Sequence, residues 1–222
     1  MIKVGILTYN KPHLKTQQVI RGLIKKKNIH IKKIITSNFK QFAERKVLFN
    51  HRPTQFKGIN PHDIAKKLKI KIEKITSKNC FSGLNYVLIC GSQIIKKKLK
   101  KNFIINCHSG LIPQSRGLDS FKWDILLGKK IGTTLHFIDK HVDYGVIISH
   151  KYTKIKYSDT LKNAANNHYK NEIKMLTNFD LYLKEKKIFK FLKRKNTLRM
   201  NLKKEKQMIK NFSKWKKINI TK

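Results

Sequence analysis

Apolar positions along this chain recur with two periods, and the switch between them marks its elements. Residues 2–8, IKVGILT, form an almost unbroken apolar run, as a strand covered on both faces should. Residues 29–36, IHIKKIIT, alternate as a second strand. IKIEKI at 70–75, YVLIC at 86–90, FIINCH at 103–108, IGTTLHFI at 131–138 and YGVIISHKYT at 144–153 predict further strands. Helical spacing appears at about 15–26, and Asn60-Pro61 opens a short helix to about Lys69, cap first and proline at the first helical position. Leu118–Leu127 reads as a helix with Gly128 just past its end, and Ser158 is the predicted cap of a long helix to about Lys186. The polar stretch 37–59, with HRPTQFKG at 51–58, reads as a loop. Strands alternating with helices predict an α/β fold, an open and mostly parallel sheet with helices on both faces. One domain over residues 1–186 is expected, followed at 187–222 by a basic, partly helical C-terminal extension.

Composition narrows the class. The 222 residues are 40% hydrophobic, enough for one sizeable core, and no apolar run approaches the ~20 residues of a membrane span. Residues 1–10 end too polar for a signal peptide. Cys80, Cys90 and Cys107 form no C-x-x-C pair, so reduced thiols in a cytoplasmic protein are expected, with no metal site. The net charge of +40 suggests a polyanion partner, yet only six of the 52 basic residues are Arg. Nucleic-acid readers lean on Arg. The Lys, Ile and Asn excess fits a lysine-coated surface from a skewed genome better. On either reading, an anionic substrate would be attracted.

The stretch INCHSGLIPQSRG, 105–117, carries the candidate chemistry. Residues two apart in a strand share a face, so Asn106 and His108 lie side by side while Cys107 turns into packing. Both sit at the carboxyl end of a parallel strand, where open α/β sheets place ligands. Imidazole carries protons near neutral pH, and an Asn amide can hold a developing oxyanion. The segment DKHVDYG, 139–145, offers Asp139 and Asp143 as the carboxylate that would complete a relay.

Residues 104–150 resemble the core of the folate-dependent formyltransferases, which include glycinamide ribonucleotide, methionyl-tRNA and nucleotide-sugar enzymes. The likeness rests on Asn106, His108, Leu111, Pro113, Arg116, Gly117, Trp123, Gly132, Thr134, His136, Asp143 and Gly145, in the family's order. The resemblance implies a Rossmann-like formyltransferase fold and 10-formyltetrahydrofolate as co-substrate. It implies that Asn106 donates to the oxyanion, that His108 moves a proton, and that Asp143 orients and assists it. Ser92, Gln93, Ile94 and Ile95, with Val142, are the implied folate-pocket residues. Lys11, His13 and Arg116 are the candidates for the acceptor side, and His136 is expected to be structural.

Two departures bear on the acceptor. Family members usually carry Pro after the His, where this chain has Ser109. The glycinamide ribonucleotide enzymes follow their first strand with a Gly-rich phosphate loop, whereas residues 8–16, TYNKPHLKT, contain no glycine. The methionyl-tRNA enzymes carry a further barrel domain, for which the residues after the long helix are too few. By elimination, the expected partner is a small anionic amine acceptor on a nucleotide-linked sugar. Phosphoribosylglycinamide is the alternative, and a basic nucleic-acid-binding protein with a non-catalytic core is the rival from another class. No membrane span is expected, and a homodimer is compatible with the sequence. The loop 37–59, with His51, Arg52 and Gln55, is either an acceptor wall or a solvated insertion.

Overall fold

The computed structural model describes residues 1–40, 45–93, 95, 103–138, 146–185 and 196–220. Seven strands form one sheet in the order β3-β2-β1-β4-β5-β6-β7. They are β1 (Ile2–Tyr9), β2 (Ile29–Ser37), β3 (Lys71–Lys74), β4 (Tyr86–Ile89), β5 (Ile104–His108), β6 (Gly132–Phe137) and β7 (Ile147–Tyr152). β1 to β5 run parallel to one another, whereas β6 is antiparallel to β5 and to β7. The helices are α1 (Leu14–Leu23), α2 (Pro61–Leu68), α3 (Ser120–Leu126), α4 (Leu161–Thr177), α5 (Phe179–Tyr182) and α6 (Leu202–Asn219). Among the described residues, no helix is long and apolar enough to cross a membrane.

Strand alternation divides the core in two. Val4, Ile6, Ile34, Leu88, Ile105, Cys107, Leu135 and Phe137 point to one face, where α1, α2, α4 and α5 add Val19, Ile20, Leu23, Ile64, Met175, Leu176 and Phe179. Leu7, Ile35, Val87 and Ile104 point to the other, covered by Cys80, Phe103 and their neighbours Ile75, Phe81, Leu84, Ile95 and Ile138. Asn106 and His108 share the parity of Ile104, so they project on this second face.

Local signals place the helix ends. Asn60 Oδ1 accepts from His62 N–H at 3.0 Å, capping α2 as its sequence predicts. The long helix differs from expectation at both ends. Its cap is Thr160, whose hydroxyl accepts from Asn163 N–H at 3.1 Å, rather than Ser158. Asp159 closes the preceding turn by accepting from Lys156 N–H at 2.8 Å, which delays the helix by two residues. α4 is interrupted at Asn178, and helical turns resume over Phe179–Tyr182 and Leu183–Glu185, where Phe179 is buried against Tyr86 with ring centroids 5.8 Å apart.

A third cluster joins α3 to α6. Phe121, Ile125, Ile131, Met200, Met208, Phe212 and Trp215 are buried together. The Lys-rich C-terminal segment therefore buries an apolar stripe against the region that follows β5. A β-bridge pairs Gly117 with Thr197. Lys122 and Glu205, both fully buried, form an ion pair between α3 and α6.

Candidate active site

Three parallel strands bring their carboxyl ends to one edge of the sheet. β1 leads into Lys11 and His13, β4 into Ser92 and Gln93, and β5 ends on His108. Asn106 is half-buried. Its amide nitrogen lies 3.3 Å from His136 Nε2, across the β5–β6 ladder in which the two residues are paired. His136 Nδ1 lies 3.1 Å from the Phe137 carbonyl, so Nδ1 carries the proton and Nε2 accepts from Asn106. One Asn106 N–H thereby orients the amide. The amide has a second N–H to offer a ligand. His136, expected to be structural, is fully buried and positions Asn106.

His108 is 8% exposed. Its Nε2 lies 3.1 Å from the Ser115 carbonyl and 3.3 Å from Ser120 Oγ, whose own hydroxyl donates to the Gly117 carbonyl. Facing two oxygens, one of them a carbonyl that can only accept, Nε2 carries a hydrogen, which leaves Nδ1 as the nitrogen that can take up a proton.

The loop after β5 is tied on every side. Thr134 Oγ1 donates to the Gly110 carbonyl at 2.6 Å and accepts from Ile112 N–H at 3.0 Å. His150 Nε2 donates to the Ile112 carbonyl at 2.7 Å. Ser109 Oγ lies 2.8 Å from His168 Nε2 on α4. Thr197 donates to the Arg116 carbonyl from both its N–H and its hydroxyl, each at 2.8 Å. Gly117, at φ +95°, has no room for a side chain, since a Cβ would collide with the Thr197 backbone.

At the end of β1, the Tyr9 hydroxyl donates to the Ser92 carbonyl at 2.8 Å, and the Tyr9 ring packs edge-on against His13 and Phe39. Gly91 sits so close that a Cβ would lie 2.8 Å from Tyr9 and 2.9 Å from His13. The acceptor-side candidate His13 and the folate-side candidate Ser92 therefore share one corner. Lys11 is exposed, 5.4 Å above the Phe39 ring. His13 is 6% exposed and hydrogen-bonds Thr16 through Nδ1 at 2.9 Å. Burial, then the charges of Lys15 and Arg52, pull its pKa down to about 4. Gln93 is exposed, and Ile95 packs beside Ile138 on the Asn106 face. Arg116 is 2% exposed, within the wall of the loop. Asp143, Val142 and Ile94 lie outside the described residues. The flanks of the segment 139–145 are fixed: Ile138 N–H donates to the Ile104 carbonyl, and Phe137 N–H to the Val146 carbonyl, each at 2.9 Å.

Sequence reasoning left the buried charges unassigned. Glu172 on α4 has no exposed surface. It accepts both Arg52 Nη2 contacts, at 2.8 and 2.9 Å, and Lys15 Nζ at 3.3 Å. Burial would raise its pKa, but Arg52 and Lys15 outweigh that and hold it down to about 2. The loop around Arg52 is therefore anchored to α1 and α4 rather than solvated. His51 stacks on Phe121 at 5.7 Å, and Lys15 N–H donates to Gln55 Oε1 at 3.1 Å. A long helix carrying a single Glu between apolar positions was the available signal.

The comparisons with known proteins fall on the same part of the chain. Residues 84–179 match the family model described as Formyl transferase. Phosphoribosylglycinamide formyltransferase of Bacillus subtilis is 38% identical over 60 residues, covering 27% of this chain and 31% of that protein. dTDP-4-amino-4,6-dideoxyglucose formyltransferase of Mycobacterium bovis is 28% identical over 109 residues, covering 48% of this chain and 42% of that protein. The chain thus spans less than half the length of either relative. Among solved structures, an N-formyltransferase from Helicobacter canadensis, in complex with folinic acid and dTDP-3-aminofucose, superposes with a TM-score of 0.63 at 18% identity, covering 96% of this chain and 81% of that one. At that identity it supports the fold.

Proposed function

We propose that this chain transfers a formyl group from 10-formyltetrahydrofolate to a primary amine on a nucleotide-linked amino sugar. The observation that carries the reading is the placement of Asn106 and His108 side by side at the end of β5, each oriented by a second group, within the matched segment. Bound 10-formyltetrahydrofolate supplies the activated one-carbon group. The rim at Ser92, Gln93 and Ile95, half-buried to exposed beside the apolar flank Ile138, suits a flat heterocycle read through main-chain groups.

The second N–H of Asn106 donates to the oxygen on which negative charge develops. The acceptor's neutral amine attacks the formyl carbon, His108 Nδ1 accepts the proton that this nitrogen sheds, and the proton goes to N10 of tetrahydrofolate as the N10–C bond breaks. Asp143 orients and assists that proton movement. Ile138, five positions before Asp143 in the sequence, is hydrogen-bonded to the carbonyl of Ile104, two residues before Asn106 on β5.

The surroundings of β1 favour the sugar acceptor over phosphoribosylglycinamide. The segment after β1 is engaged internally, His13 with Thr16 and Lys15 with Glu172. It therefore makes no glycine-lined cradle for a phosphate. An anionic acceptor still meets positive charge: Arg52 and Arg199, 40% and 60% exposed, both act on the Tyr9 hydroxyl, and Lys11 is exposed nearby.

The test is mass spectrometry of nucleotide-linked amino sugars and of phosphoribosylglycinamide after incubation with 10-formyltetrahydrofolate. A formyl mass gain on a sugar, absent with His108→Ala, is the expected result. Gain only on phosphoribosylglycinamide would overturn the acceptor. Absence of both formyl gain and folate binding, with steeply salt-dependent nucleic-acid binding instead, would overturn the enzyme reading.

A further inference from the structure

His168 is a buried titratable group that the proposed chemistry leaves unused. It is 1% exposed on α4, and each of its ring nitrogens lies 2.8 Å from a hydroxyl, Nε2 from Ser109 Oγ and Nδ1 from Thr153 Oγ1. Burial pulls its pKa down to about 4, helped by Arg52 and His108 and opposed by Glu172. At neutral pH the ring is therefore neutral, with one donor and one acceptor nitrogen. Asn171 Nδ2, which can only donate, reaches Thr153 Oγ1 at 3.3 Å. The neutral ring therefore donates to one of its two hydroxyl neighbours and accepts from the other. The hydrogen bonds run Asn171, Thr153, His168, Ser109, and they end on the residue bonded to His108.

Packing alone does not require this arrangement. α4 is held to the sheet by Met175 and Leu176, and to the α3–α6 cluster by Ala164 and Ala165. The polar chain spans from β7 through the helix to the end of β5. There it fixes the first residue of the loop, while Ser115 and Ser120 hold the far side of the His108 ring. We propose that His168 is a positioning residue for His108, acting through Ser109 to set the direction in which the imidazole leaves β5. The inference rests on the reading of His108 as proton carrier. Through it, the Ser at 109 acquires a purpose: a hydroxyl there is an anchor that proline cannot offer.

The experiment compares Ser109→Ala, Thr153→Val, His168→Gln and His168→Leu with the wild-type chain. Three readouts are taken: thermal stability, ring resonances of His108 by ¹⁵N-histidine NMR, and kcat and KM for formyl transfer. The Gln amide can still donate to one neighbour and accept from the other; Leu can do neither. Ser109→Ala and His168→Leu are expected to displace the His108 resonances and to lower kcat about tenfold or more, with KM within about twofold. His168→Gln is expected to recover most of that loss, which a purely structural role would not predict. Unmoved His108 resonances in Ser109→Ala would overturn the inference, as would equal kcat losses for Gln and Leu at 168. If His168→Leu does not fold, Ser109→Ala decides. The resonances need no substrate, so they judge the positioning even where no acceptor gains a formyl group.

Discussion

Replacing Glu172 by Gln removes one charge from the centre of the molecule while preserving shape and most hydrogen bonding. The carboxylate has no exposed surface, and its partner Lys15 is 8% exposed, so neither can fall back on water. Arg52, at 40% exposed, can. The carboxyl is held at about 2 against an ordinary 4.5, a difference that corresponds to about 3 kcal/mol of stabilisation of the ionised form. Leaving the Lys15 ammonium buried without its counter-charge costs a similar amount, about 3 kcal/mol. For a chain of this size, the melting temperature should fall by roughly 6–12 °C at pH 7. The sign of the pH dependence follows from the lowered pKa. The contribution is complete above about 4.5 and vanishes as pH falls toward about 2. Melts of the wild-type chain and Glu172→Gln by far-UV circular dichroism should therefore be well separated at pH 7 and converge in acid. A gap under about 1 °C at pH 7, or one of equal size at pH 7 and pH 2.5, would refute the argument.

Two further outcomes are expected. His13 and His168, both lowered from 6.5 to about 4 chiefly by burial, bind protons in the unfolded chain before they do so in the folded one. Stability should thus decline as pH falls from 6.5 to 4, by about 3 kcal/mol for each ring, and a melting temperature flat over that interval would contradict it. Trp215→Ala removes a side chain that is 3% exposed, stacks on Phe212 at 5.7 Å and donates to the Lys129 carbonyl at 2.7 Å. Urea unfolding should show a loss of about 3–5 kcal/mol, whereas a loss under about 1 kcal/mol would mean that α6 is a loose appendage.

Much of the architecture is legible along the chain because its signals are local. The apolar runs of β1, β4 and β5 and the Asn60-Pro61 start of α2 depend on neighbours within a few residues, and they appear where they were expected. The pairing of Asn106 with His108 is equally local, since strand geometry alone puts residues two apart on one face. Folding decided what is non-local. Nothing near Thr160 announces that Asp159 will close the preceding turn first, and nothing near Asn178 announces that Phe179 will be pulled onto Tyr86. The antiparallel turn of the sheet at β6 sets His136 opposite Asn106, and so decides which group orients the amide. Glu172 meets Arg52 across 120 positions, Lys15 across 157, and His168 meets Ser109 across 59. A single charged or polar residue in a sequence carries no mark of its partner. It becomes affordable inside a protein only once the chain has brought the compensating group into hydrogen-bonding distance, and that is a property of the tertiary structure.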